Sequence, residues 1–402
     1  MTDAVAIDRS RMLNKVPEVT IFFWIIKILC TTVGETASDF LNVNLNFGLT
    51  GTSVAAGILL AVALIVQFRT RRYVPIVYWL NVVLISIFGT LVTDNLTDAL
   101  GFPLEYSTAI FSALLLVTFA VWYRQEQTLS IHSIFTFRRE AFYWLAVLFT
   151  FALGTAAGDL MAEALGLGYG TTGMIIVAIV AIFAVAWQFG LDSILAFWVI
   201  YIMTRPLGAS LGDYLTQSQA HGGLGLGATV TTVLFTIGIV ATVLYLAVSK
   251  ADVTQATVAE DRPESRSRSS VVAQVAAVAA LFLVASTGGY LWRVDQLRQM
   301  ASAAGPADQS APLGDLSSFR GMTQAMLESV NAGDWAKANG HANDIEFAWD
   351  SAEARLRPMN AEAWATVDDA IDKALREVRA VAPSQESARM ALQDLLDKTA
   401  NP

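Results

Sequence analysis

The 402-residue chain is 54% hydrophobic and only 15% charged, against roughly 25% charged in soluble domains, which excludes an ordinary water-soluble fold. Its net charge of −9 argues against a nucleic-acid partner. One cysteine, Cys30, and three scattered histidines, His132, His221 and His341, leave no intramolecular disulfide and no visible Cys- or His-based metal cluster.

A polar N-terminal segment (1–19) is followed by apolar runs at 20–41, 51–68, 74–96, 106–123, 141–162, 171–189, 192–215, 226–248 and 271–292. Each is long enough to cross a hydrocarbon core of roughly 30 Å at ~1.5 Å per residue. The first run ends in Glu35 and Asp39 without a small-residue cleavage site, so it reads as a retained span and not a signal peptide. Lys and Arg gather before the first run (Arg9, Arg11, Lys15), after the second (Arg69, Arg71, Arg72), between the fourth and fifth (Arg124, Arg138, Arg139) and between the eighth and ninth (Lys250, Arg262, Arg266, Arg268). The alternate loops 42–50, 97–105, 163–170 and 216–225 carry neither. The positive-inside rule therefore predicts a cytoplasmic N-terminus, and nine spans put the C-terminal tail outside.

Within the apolar runs one phrase recurs with invariant spacing: Trp24, Gly34, Asp39; Trp79, Gly89, Asp94; Trp144, Gly154, Asp159; Trp198, Gly208, Asp213. Phe or Tyr precedes every Trp, and Leu or Met stands two places after every Asp. The pattern covers about residues 16–249 and resembles a family of bacterial inner-membrane proteins made of four tandem two-span units, each with a tryptophan and of unknown function. The resemblance implies an eight-helix membrane domain and no activity. The expected architecture is all-α: a four-repeat domain (20–249) with Trp-to-Asp helices inside and even helices outside, a linker (250–270), a ninth span (271–292), a second linker (293–314) and an external helical bundle (315–402).

The tail holds 17 Asp and Glu against 11 Lys and Arg over residues 293–402, so most of the net negative charge lies there. Phe319, Met322, Met326, Leu327 and Val330 recur at helical spacing until Asn331-Ala332-Gly333. Asp334, Asn360 and Ser384 are placed to cap three further helices. The acidic stripes Glu346, Asp350, Glu353 and Asp368, Asp369, Asp372 read as solvated faces.

Ionisable groups inside a bilayer cost roughly 2.5–3.5 kcal/mol near its centre and tend to mark a pathway. Asp39, Asp94, Asp159 and Asp213 are predicted to share one depth, either capping the returning helices or forming a cation or proton site. Four residues before each Asp stand Glu35, Thr90, Thr155 and Ala209, on the same helix face. Eight before stand Thr31, Ser86, Phe151 and Arg205. Arg205 could meet Glu35 across a closed ring, as a salt bridge or a gate, and Pro206 should kink or break its helix. Gly34, Gly89, Gly154 and Gly208 read as tight packing points, and the four Trp as interfacial anchors or packing wedges. Glu35 and Asp39 form the strongest like-charge pair, and Asp213 is expected to be the least loaded of the four.

Neither a nucleophile arrangement nor a P-loop or dinucleotide fingerprint is present, so no enzyme and no cofactor are expected. The leading expectation is a transporter or channel for a small cation, a divalent metal or a proton-coupled solute. The alternative is a membrane scaffold or sensor whose external bundle binds a protein or envelope partner. The lipid bilayer is the one partner common to both, and the oligomeric state is open.

Overall fold

The computed structural model describes residues 14–41, 48–100, 102–217, 223–253, 268–303, 312–357, 359–380 and 382–400. Among them the fold is all-helical, and nine helices are long and apolar enough to cross a membrane. Residues 1–13 of the expected N-terminal segment, the loop tips 42–47 and 218–222, most of the 250–270 linker and residues 304–311 of the second linker lie outside the described residues.

The repeat domain contains α1 (Ile21–Asp39), α2 (Gly48–Arg69), α3 (Pro75–Asp94), α4 (Leu104–Glu126), α5 (Phe137–Asp159), α6 (Tyr169–Gln188), α7 (Ser193–Thr216) and α8 (Ala228–Ser249). Local chemistry starts several of them. Pro75 occupies the first turn of α3, where its missing N–H is harmless. The side chains of Thr136 and Asp192 cap α5 and α7. Gly168 and Gly227, just ahead of α6 and α8, adopt φ of 71° and 76°, which a side chain would strain.

The odd helices contact one another in a closed cycle, α1 to α3 to α5 to α7 and back to α1. Each even helix lies on the odd helix of the following repeat: α2 on α3, α4 on α5, α6 on α7, and α8 back on α1. The two layers differ in composition and hence in burial. Windows of the odd spans are 56–67% buried, whereas those of the even spans are 17–28% buried and present Val, Ile and Leu outward. Lipid tails solvate such faces as well as protein does, so only the polar and small-residue helices have reason to go inside.

The repeat glycines make the ring possible. A Cβ on Gly34 would fall 1.8 Å from Ser86 Oγ, one on Gly89 2.8 Å from Phe151 Cβ, one on Gly154 2.3 Å from Arg205 Cγ, and one on Gly208 1.9 Å from Thr31 Oγ1. Each glycine thus receives the residue seven places after the Trp of the next repeat, and the fourth receives that of the first. Pro206 does not break α7, which runs continuously from Ser193 to Thr216. Its ring lies against bare backbone at Gly154 and Gly158, so the helix meets no steric obstacle there.

After Asp94 and Asp159 the chain winds into π-type turns, Asn95–Ala99 and Leu160–Ala164, and Phe40 and Leu41 have the same winding after Asp39. The fourth repeat lacks it, ending α-helically at Thr216 before its longer glycine-rich loop.

The ninth span belongs to α9 (Arg268–Ala303), which passes from the Trp end of the repeats to the Asp end. Gln274 accepts from the Asp192 N–H at 2.9 Å, and Arg293 donates to the Ala164 carbonyl at 2.8 Å. The helix continues well into the expected 293–314 linker. Residues 293–303 hold no Gly or Pro and are rich in good helix formers, so nothing stops the span until Gly305-Pro306. Four helices complete the chain: α10 (Ser317–Asn331), α11 (Trp335–Leu356), α12 (Ala361–Arg379) and α13 (Gln385–Ala400). Asp334 and Asn360 cap α11 and α12 through the N–H groups of Lys337 and Ala363, and Ser384 accepts from Ser387. Their core is built on Phe319, Trp349 and Trp364, the last two stacked at 3.9 Å.

Candidate functional site

The axis of the odd-helix ring is built in levels, each using one repeat position. At the Trp end the residues before the tryptophans, Phe23, Tyr78, Tyr143 and Phe197, form an aromatic floor, with the Tyr78 and Tyr143 hydroxyls 2.5 Å apart. Trp79, Trp144 and Trp198 are buried in this floor, and the half-buried Trp24 packs against it. Trp79 donates to the Tyr73 hydroxyl at 3.2 Å and Trp198 to the Leu129 carbonyl at 3.0 Å. Below the floor, Lys15 pairs with the fully buried Glu140 at 2.6 Å, and Gln67 donates to the same carboxylate at 2.9 Å. This lock was not singled out in the sequence, although a lone acid beginning a span is a readable signal for it.

The level above the floor holds Lys27, Val82, Val147 and Tyr201, all buried. Lys27 Nζ lies 3.8 Å from the centre of the Phe151 ring and 4.3 Å from that of Tyr201, and has no hydrogen-bond partner among the described residues. Desolvated cation–π contacts supply on the order of 2 kcal/mol each, whereas taking an ammonium out of water costs several. The two rings therefore only partly compensate the charge.

Arg205 occupies the centre of the ring. Its guanidinium donates to Glu35 Oε2 at 2.7 Å, to Thr155 Oγ1 at 2.7 Å, to Thr90 Oγ1, and to the Thr31 carbonyl at 3.4 Å. Glu35, Thr90 and Thr155 are the same repeat position in units one, two and three, and Arg205 comes from unit four. The fourth unit's own residue there is Ala209, whose small side chain leaves the space the guanidinium fills. One arginine thus binds every other repeat, and the Thr90 and Thr155 oxygens serve its N–H groups. Glu35 turns its charge to Arg205, so the Glu35–Asp39 pair foreseen from the sequence is not two free carboxylates.

Asp39, Asp94, Asp159 and Asp213 are half-buried at the next level. Asp213 is in electrostatic range of Asp39 and Glu35, and Asp159 of Asp213, Asp94 and Glu35. Asp213 also has Glu163 within electrostatic range, with the Arg205 guanidinium acting the other way. Among the described residues no hydrogen bond links Asp39, Asp159 or Asp213 to the start of a returning helix. Among the described residues no group of three or more His, Cys, Asp or Glu side chains stands ready to hold a metal ion there.

The helical bundle sits over this acidic end. Its α11 packs on the Leu160–Ala164 turn, and Arg357 donates to the Thr97 carbonyl at 3.4 Å. Arg379 grips Glu346 through two bonds of 2.9 and 2.5 Å and lies in electrostatic range of Asp39. A cavity of about 320 Å³ separates the two parts, lined by Glu163, Tyr169, Arg293, Phe347 and Asp350 among others. Burial, reinforced by the charges of Glu163, Glu346, Asp368 and Glu353, pushes the Asp350 carboxyl well up from its ordinary range. The stripe expected to be solvated thus faces the repeat domain.

Fold and site together define an all-α membrane protein made of fused two-helix repeats around a charged axis. The model of a family described as Repeat of Unknown Function (DUF347) matches residues 22–73, 77–128, 142–189 and 196–252, more than half of the chain. The chain belongs to that repeat family. No curated protein and no solved structure matches it significantly.

Proposed function

We propose that the repeat domain is a non-enzymatic transporter that moves a small cation, with protons as the best-fitting species, and that the arrangement described is its closed state. The N-terminus is cytoplasmic in this reading, the aspartate end faces outward, and the bundle covers the outer mouth in the bacterial inner membrane. The observation that carries the reading is Arg205, a fully buried guanidinium bonded at one level to Glu35, Thr90 and Thr155. Intramembrane charges facing a bundle interior mark pathways, and here the charge lies beneath the level of four half-buried carboxylates. Arg205 and Lys27 would repel a cation from a static pore, as fixed cationic groups do in selective channels. Conduction therefore requires the Arg205 lock to open. The aspartates are suited to exchanging protons more than to enclosing a divalent metal, because no metal-ligating group of three is assembled among the described residues.

The test is reconstitution of the purified chain in proteoliposomes with a trapped pH dye, under an imposed pH gradient. Proton movement that depends on Asp39, Asp159 and Glu35 supports the reading. Vesicles no more permeable to protons, alkali cations or Mn²⁺ than protein-free ones would favour a membrane scaffold, with Arg205 as the tie between repeats.

A further inference from the structure

The lysine level of the axis plays no part in the lock, yet it breaks the repeat symmetry as sharply as Arg205 does. Lys27 stands where the other units carry Val82, Val147 and Tyr201, in a span where a hydrophobic residue would pack without cost. Its Nζ is buried, has no hydrogen-bond partner among the described residues, and lies over the π faces of Phe151 and Tyr201. The charged or titratable groups bearing on it are Cys30 on its own helix and Tyr201 and Arg205 on α7. From α5 comes the uncharged Phe151 ring, and α3 carries Val82 and Ser86 at the matching positions. The nearby carboxylate, Glu35, is already engaged by Arg205.

We propose that Lys27 is a proton-binding site and that its protonation drives the ring open. An unpaired buried ammonium is held in place only if its surroundings favour the charge, and otherwise the group gives up its proton. Two aromatic faces favour the charge, while burial and the Arg205 guanidinium oppose it. The step is a single proton transfer: the amine lone pair takes one proton from a hydronium ion on the axis, whose O–H bond breaks and leaves its electron pair on the departing water, to give the ammonium, and the reverse step returns the proton to water. In the protonated form two cations lie in electrostatic range of one another in the core, and the carboxylate at the level above is bonded to Arg205. That raises the free energy of the closed ring relative to an open one in which water reaches the axis. Lys27 and Glu35 lie on one stripe of α1, two turns apart with Thr31 between them, so a proton entering from the aspartate end has a short way to travel once Arg205 moves.

Proton binding at Lys27 can be measured without any transport, although its link to opening rests on the transport reading. The full chain, labelled with 13Cε-lysine in nanodiscs, is followed by NMR across the pH range in which it stays folded. The Lys27 signal is assigned by its loss in Lys27→Met and in Lys27→Arg, either of which suffices should the other fail to fold. The expected result is a Lys27 resonance that moves between its ammonium and amine positions. A resonance fixed in one state throughout overturns the proposal. In proteoliposomes with a trapped pH dye, Lys27→Arg keeps the charge and the aromatic stacking but holds its proton, and is expected to slow proton flux at least tenfold. Wild-type flux in the folded Lys27→Arg protein would also overturn the proposal. A titrating Lys27 in vesicles that move no protons supports the site and removes the transport reading instead.

Discussion

Glu35→Gln gives the sharpest test of the ring's central lock. The substitution keeps the shape of the side chain and one acceptor oxygen, but it leaves the Arg205 guanidinium with only neutral acceptors: Thr90, Thr155, the Thr31 carbonyl and the new amide. Removing one partner of a buried ion pair costs about 3–5 kcal/mol, and the retained acceptor places this variant near ~3 kcal/mol. Arg205→Met should cost a similar amount, since it strands Glu35 in the same place. The double variant removes both charges, and buried pairs replaced by apolar groups of similar volume are often neutral or better. With two single losses of about 3 kcal/mol each and a double variant near neutral, the cycle should show a coupling of up to ~6 kcal/mol, above the usual range for contacting residues. Reversible unfolding by SDS titration in mixed micelles, followed by far-UV circular dichroism, gives all four corners. A double variant that loses the sum of the two single losses would refute the ion pair as the centre of the fold.

Other consequences follow from single contacts. Gly154→Ala drives a methyl into Arg205 and Pro206 and should destabilise by about 1–3 kcal/mol or more, as overpacked cores do; Gly51→Ala, with nothing within 4 Å of its Cβ, should be neutral or slightly stabilising in the same titration. Burial and the charge of Asp372 push Asp368 up to about 7, with a hydrogen bond from Trp349 pulling the other way. The folded bundle therefore holds this proton more tightly than the unfolded chain, so its stability falls as pH rises from about 4 towards 7. Asp368→Asn should flatten that slope in full-chain melting curves, and an unchanged slope would assign it elsewhere. Single cysteines at Thr128 and Leu224, in a Cys30→Ala background, should react with impermeant maleimide from opposite sides of the membrane, Leu224 from outside; labelling from one side would contradict the topology.

The sequence by itself determined the repeat, the nine apolar helices and the segregation of polar helices inward. Those follow from local composition and from a spacing stated four times, so no long-range information is needed. The caps at Asp334 and Asn360 are equally local. What only the tertiary structure decided is how the units meet. The closed cycle, in which each repeat glycine receives a side chain from the next unit and Gly208 receives Thr31 from the first, depends on helix rotation that periodicity leaves open. Arg205 and Glu35 were readable as potential partners, but their convergence with Thr90 and Thr155 on one guanidinium depends on ring closure. The isolation of Lys27 is likewise invisible in one helix, because being unpaired is a property of all the neighbours together. The π-type turns after Asp94 and Asp159 carry no separate residue signature. The meeting of Glu346 and Asp350 with the aspartate end was misread from sequence for a simple physical reason. An acidic helix face favours water unless another surface covers it, and only the path of α9 brings the bundle back over the mouth.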